Sequence, residues 1–107
     1  MTRIPPFRYD RKEGRLTDIK GNKVRFDIVD HVALRQSTYP QKMFVLEKIR
    51  FQESPQKRRK EEIRIGYYII GKKERMKGRW VWGQFCPFFP PRDLEKLIVR
   101  ARKKRII

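Results

Sequence analysis

The sequence predicts an α+β domain, a small and mostly antiparallel sheet with one C-terminal amphipathic helix packed on it. Three observations carry that expectation. Runs of alternating apolar and polar residues recur through the middle of the chain. The loops between them are short. The chain closes on a stretch whose apolar residues repeat at helical spacing.

Residues 1–14 hold Pro5-Pro6 and a string of charges, and they read as an irregular arm, with Ile4, Phe7 and Tyr9 available to pack on the body. Residues 15–107 read as one domain, which suits a chain of 107 residues. Leu16–Ile19, Lys20-Gly21-Asn22-Lys23 and Val24–Ile28 give a hairpin signal, because Gly-Asn suits a two-residue turn. Val24, Phe26 and Ile28 alternate with Arg25 and Asp27, the period of a half-buried strand. Asp30–Tyr39 fits either a helical turn capped by Asp30 or a crossing loop that ends at Pro40.

Met43–Phe51 reads as a strand with Met43, Val45, Ile49 and Phe51 on one face together with Glu47, and with Phe44 and Leu46 on the other. Residues 52–60 form a polar loop. Glu62–Ile70 is the clearest strand, and its alternation sends Tyr67 and Tyr68 to opposite faces. A basic connection over Gly71–Gly78 leads to a last strand, Arg79–Phe85, which the prolines at 87, 90 and 91 terminate. The short loops favour antiparallel neighbours, giving a meander of about five strands.

The helix is expected from Pro91 to Arg105. Proline is suited to its first turn, Asp93 and Glu95 to the positive N-terminal end, and Lys103, Lys104 and Arg105 to the negative C-terminal end. Leu94, Leu97, Ile98 and Ala101 form one stripe; Arg92, Lys96, Arg100 and Lys103 form a basic stripe on the opposite side.

Charge supplies the functional signal. The chain has 29 Lys and Arg against 12 Asp and Glu, a formal net charge of +17. Such a chain attracts polyanions, and nucleic acid presents closely spaced phosphates whose counterions are released on neutralisation. A thermophile's ion-rich surface would raise acids and bases together, and here the acids lag. Position sharpens the signal: residues 56–79 hold ten basic and three acidic groups, and residues 92–107 hold seven and two.

The expected function is therefore nucleic-acid binding, of DNA or RNA and largely without sequence reading, through basic loops and strand aromatics. The residues assigned to the phosphate backbone are Arg58, Arg59 and Lys60 in the first loop, Arg64 on the strand, and Lys72, Lys73, Arg75, Lys77 and Arg79 in the second connection. Tyr68, Trp80 and Trp82 are candidates for base stacking, and Gln84 for edge hydrogen bonds. Lys96 and Arg100 form a secondary helical patch. The Trp80/Trp82 face competes with the Val81/Phe85 face for the core, and the pattern leaves that choice open. The aromatic stretch does not match an RNA-recognition motif, a KH loop or a zinc finger.

Two further readings come from the same residues. A small metal-dependent nuclease would need carboxylates near a Lys, as in Asp10-Arg11-Lys12 and Asp18-Ile19-Lys20, but neither follows a buried apolar strand. His31, with Asp30, Arg35 or Tyr39 nearby, could act as a general base without metal. Alternatively the chain is a basic subunit of a ribonucleoprotein or a partner of an acidic protein. An edge strand would offer a route to a homodimer.

No catalytic, metal or cofactor site is assigned. One histidine and one cysteine leave no His- or Cys-rich metal set and no disulfide, and Cys86 reads as a small buried residue. No apolar run approaches the ~18 residues of a membrane span, and the first residues lack the apolar core of a secretory signal. The expected location is the cytoplasm, of a microbe or of a virus growing in one.

Overall fold

A computed structural model describes residues 4–52, 61–83 and 86–107. Five antiparallel strands, β1 (Glu13–Thr17), β2 (Lys23–Arg35), β3 (Lys42–Phe51), β4 (Glu61–Ile70) and β5 (Trp80–Trp82), pair in sequence order, and one helix, α1 (Pro91–Lys103), packs on them. This is the α+β meander with a C-terminal helix that the periodicity predicts.

Several strand boundaries differ from the sequence reading, among them β5, which spans Trp80–Trp82 where Arg79–Phe85 is expected. β1 begins at Glu13, inside the expected arm, and ends at Thr17. The turn after it is a five-residue loop, because the Asp18 carboxylate accepts the backbone N–H groups of Lys20 and Asn22. Gly21 takes φ +86° within this loop, and Ile19 stands in solvent.

The region left open after Ile28 is strand as far as Arg35 and loop only from Gln36. β2 runs on to Arg35, with a bulge between Ile28 and Asp30 that inserts Val29. One extra residue reverses the face of every side chain that follows. Phe26 and Ile28 thus lie on one face of the sheet, and Val32 and Leu34 lie on the other.

That switch gives each face its own core. On the helix face, Leu34, Phe44, Leu46 and Tyr67 pack with Leu97, Ala101 and Ile106. Leu97 and Ala101 are fully buried, as the apolar stripe requires. The helix stops at Lys103, short of the expected Arg105, because Arg105 turns left-handed at φ 59°. The Ile106 N–H then donates to the Ala101 carbonyl and the Arg105 N–H to that of Arg102, the bond pattern of a Schellman stop. At the other end the Asp93 carboxylate accepts the Ser37 N–H at 2.9 Å, tying the helix to the β2–β3 loop.

Beyond Asp27, β2 has no β1 partner. The helix covers this edge: Arg100 donates to the Ala33 carbonyl at 2.6 Å and Lys104 to the His31 carbonyl at 2.7 Å. A bare edge would invite strand addition, and two cations fill it instead.

The opposite face is covered by residues 4–12. Phe7 lies edge-on to both Tyr68 and Trp80, and the Trp80 indole N–H donates to the Pro5 carbonyl at 3.0 Å. Tyr9 stacks on His31, and Arg11 lies 4.2 Å from the Trp82 ring centre. Residues 4–12 hold no helix or strand, and they form half of the second core.

Candidate nucleic-acid interface

The arm face gathers the strand aromatics. Antiparallel register sets Met43, Tyr68 and Trp82 in one row across β3, β4 and β5. Trp80 and Trp82 are half-buried on the face away from the helix, which decides the question the alternation leaves open. Gly66 explains how Trp82 fits: a Cβ there would come within 2.4 Å of the indole, so the ring lies directly on bare backbone. Gly83 has the matching role on the helix face, where a Cβ would strike the Tyr67 ring.

A second row crosses the same face. His31 on β2, Glu47 on β3 and Arg64 on β4 are register partners. Glu47 is completely buried. Its Oε2 accepts a hydrogen bond from the Tyr9 hydroxyl and lies 3.2 Å from Nε of Arg11. A carboxylate in an apolar layer needs such partners, and the arm brings them. Its Oε1 has no hydrogen-bond partner among the described residues.

The titrating groups here respond to that burial. Burial, then the Glu47 hydrogen bond, pushes the Tyr9 phenol far above its ordinary value. Burial, then the neighbouring Lys104 charge, lowers His31. Burial, then repulsion from Arg11, lowers Arg64, which stacks over Trp82 at 5.0 Å and Phe26 at 5.3 Å.

Tyr9, Arg11 and Glu47 are functional-site candidates that the sequence reading passed over. Two signals were present: Phe7, Tyr9 and Arg11 alternate at strand spacing, and Glu47 occupies a core-facing position of an apolar strand.

The basic residues occupy a different place. Beyond β4, Lys72, Lys73, Arg75, Lys77 and Arg79 all lie exposed in the connection to β5. That connection is held by its own backbone: Gly71 N–H to Arg79, Met76 N–H to Lys73, Gly78 N–H to Gly71 and Arg79 N–H to Met76. A 3-10 turn over Glu74–Met76 and φ +75° at Gly78 shape it. The Ile70 N–H donates to the Gln41 carbonyl, so this connection adjoins the β2–β3 loop, which also holds the helix N-terminus through Asp93. The end of the sheet nearest Lys72 is therefore also the end at which Arg92 begins the helix.

The expected site residues thus divide into three groups. Arg64, Tyr68, Trp80 and Trp82 meet on the arm face. Lys72, Lys73, Arg75, Lys77 and Arg79 share one loop at the sheet's end. Lys96 and Arg100 lie exposed on α1, with Arg100 bound to β2. Arg58, Arg59, Lys60 and Gln84 lie outside the described residues.

Among the described residues ion pairing leaves most of this charge unmatched. Among the described residues the ion pairs are Arg11–Glu47, Lys48–Glu61, Arg50–Glu61 and Lys104–Asp30. The five cations of the β4–β5 connection are in none of them.

Three aspartates that a metal site could draw on have separate occupations. Asp18 holds its turn, Asp27 accepts from Gln52, and Asp30 pairs with Lys104. Among the described residues no three His, Cys, Asp or Glu side chains gather as a metal site. Cys86 is exposed, against the expectation of burial, because the chain leaves the sheet before reaching it. Among the described residues no helix is long and apolar enough to cross a membrane. The chain matches no family model, no curated protein and no solved structure with which it was compared.

Proposed function

We propose that this chain is a cytoplasmic nucleic-acid-binding protein that grips the phosphate backbone largely without reading sequence. The observation that supports this most is the β4–β5 connection. Five exposed cations stand on a loop fixed by its own hydrogen bonds, with no carboxylate paired to them among the described residues. A fixed array of exposed cations gains by displacing counterions from a polyanion and loses little entropy on docking.

The arm changes the expected part of the aromatics. Phe7 and Arg11 already lie against Trp80 and Trp82, so those rings serve first to hold the second core. Backbone contacts at the loop take the leading part, and the helix cations Arg92, Lys96 and Lys103 a secondary one.

Titration of intrinsic tryptophan fluorescence with single-stranded and duplex oligonucleotides at two salt levels, with and without Mg²⁺, tests the reading. With about five phosphates contacted, log affinity should fall against log salt with a slope of roughly −3 to −5. Tight binding with a flat salt response would contradict it, and Mg²⁺-dependent strand cleavage would replace it with the nuclease reading.

A further inference from the structure

Beside the basic connection lies a cavity of about 350 Å³ with an unusual mixture of walls. Ile4 and Pro5 of the arm, Tyr39 of the β2–β3 loop and Ile70 at the end of β4 give it apolar sides; Lys72 and Lys77 also line it. Among the described residues no acidic side chain lines it. Its size lies near the lower end of the ~300–1,000 Å³ typical of small-ligand clefts, enough for one nucleoside-sized group and too little for a stacked pair.

We infer that this slot receives one nucleotide of a single strand, its base against Tyr39, Pro5 and Ile70 and its phosphate on Lys72 and Lys77. The inference rests on the nucleic-acid reading above and gives it a specific site.

The chemistry of the lining selects the ligand class. Apolar walls favour a flat, poorly hydrated group, whereas the two lysines favour an anion attached to it. A nucleotide has both parts in one unit. A wholly apolar ligand would leave the lysines unused, and a bare phosphate would leave the walls wet. The Gln41 side chain, also in the lining, adds an amide that can donate to or accept from a base edge.

The slot is built rather than incidental. Its outer wall is the hydrogen-bonded connection, where Gly78 takes φ +75° and Gly71 has no room for a Cβ, which would lie 2.4 Å from the Met76 carbonyl oxygen. Its inner wall is fixed by the Ile70–Gln41 bond, and its arm wall by the bond from Trp80 to Pro5. Lys72 also lines a shallow groove with Lys73, Arg75 and Met76, so a strand leaving the slot would meet further cations along the same loop.

A base in a slot separates this site from purely electrostatic binding, because an abasic strand keeps its phosphates and loses its bases. The probes are a short oligothymidylate and an abasic strand of equal length, compared by fluorescence anisotropy with the full chain. The abasic strand should bind about tenfold more weakly, the effect of losing one stacked base. Tyr39→Ala, which removes a wall, and Ile4→Trp, which fills the cavity, should each bring the oligothymidylate down to the abasic level and leave abasic binding unchanged. Replacing Lys72 and Lys77 by Ala should weaken both strands, and thermal melts confirm that each variant folds.

Equal wild-type affinity for the two strands overturns the slot while leaving backbone binding standing. So does a base-dependent gap that persists in both Tyr39→Ala and Ile4→Trp. If neither strand binds at low salt, the nucleic-acid reading fails and the slot fails with it.

Discussion

Replacing Glu47 tests how the second core is held. The carboxylate is completely buried, hydrogen-bonded by Tyr9 and paired with Arg11 at 3.2 Å. Glu47→Gln keeps the shape and leaves Tyr9 an amide oxygen, but it removes the charge facing Arg11. Hydrogen bonds to charged groups contribute about 1.5–3 kcal/mol. Arg11 keeps about a fifth of its side chain in water, which softens the penalty on its unpaired charge. A loss of about 2 kcal/mol is therefore expected for Glu47→Gln, by urea unfolding at neutral pH. Arg11→Met alone leaves the carboxylate buried without its cation and should cost more, about 3–5 kcal/mol. The double variant should cost clearly less than the two single losses together, because neither charge is then stranded. Additive losses, or a Glu47→Gln loss below about 0.5 kcal/mol, would refute the claim that this pair fastens the arm to the sheet.

Other expectations follow from the same packing. Leu97→Ala should destabilise the fold by about 2–5 kcal/mol, since the side chain is fully buried on the helix face; a near-neutral melt would mean that the helix is loosely docked. Gly66→Ala should cost about 1–3 kcal/mol and change the tryptophan emission, because the new methyl must displace Trp82 from the backbone. His31 has a folded pKa below its unfolded value, so the unfolded chain binds the extra proton first as pH falls. Its contribution is therefore intact above about pH 6.5 and lost as pH falls below that value, and His31→Gln should flatten stability between neutral and mildly acidic pH. For Tyr9 the sign reverses: its raised folded pKa makes stability fall as pH rises beyond about 10, where the unfolded phenol ionises, and Tyr9→Phe should weaken that alkaline loss.

What the sequence reveals about the fold depends on how regular each element is. β3, β4 and α1 are legible because their alternation or helical stripe runs unbroken, and Pro91 and Asp93 mark the helix start. The far half of β2 is hidden by the bulge at Val29. Val24, Phe26 and Ile28 share parity with Val32 and Leu34, so unbroken counting would place all five on one face, whereas the extra residue divides them between two. Asp30 and His31 add to the difficulty, since polar residues at that point imitate a helix cap. The helix stop is hidden for another reason: Arg105 takes the left-handed conformation usually left to Gly, so no glycine signals it.

The candidate site divides along the same line. Cations of the β4–β5 connection are legible as charge, because a basic run between two strands lies on the surface wherever the strands pair. The arm's part in the molecule is not legible, since Phe7, Tyr9 and Arg11 meet Tyr68, Trp80 and Glu47 only after a long stretch of intervening chain has folded, 38 positions for Tyr9 and Glu47. The cavity between arm and loop belongs to the same category: Pro5, Tyr39 and Lys77 converge on it from three distant segments.

The most direct test of the central claim sets loop against helix. One variant carries Ala at Lys72, Lys73, Arg75 and Lys77, and the other at Arg92, Lys96, Arg100 and Lys103. Affinity for a single strand is measured across a salt series, with thermal melts to confirm that both variants fold. The loop variant should weaken binding at every sequence tested, and the salt slope should shrink by about 1 for each phosphate that the protein no longer neutralises. The helix variant should weaken it less. A larger loss from the helix variant would move the interface to α1, and unchanged binding in both would contradict nucleic-acid binding through these cations.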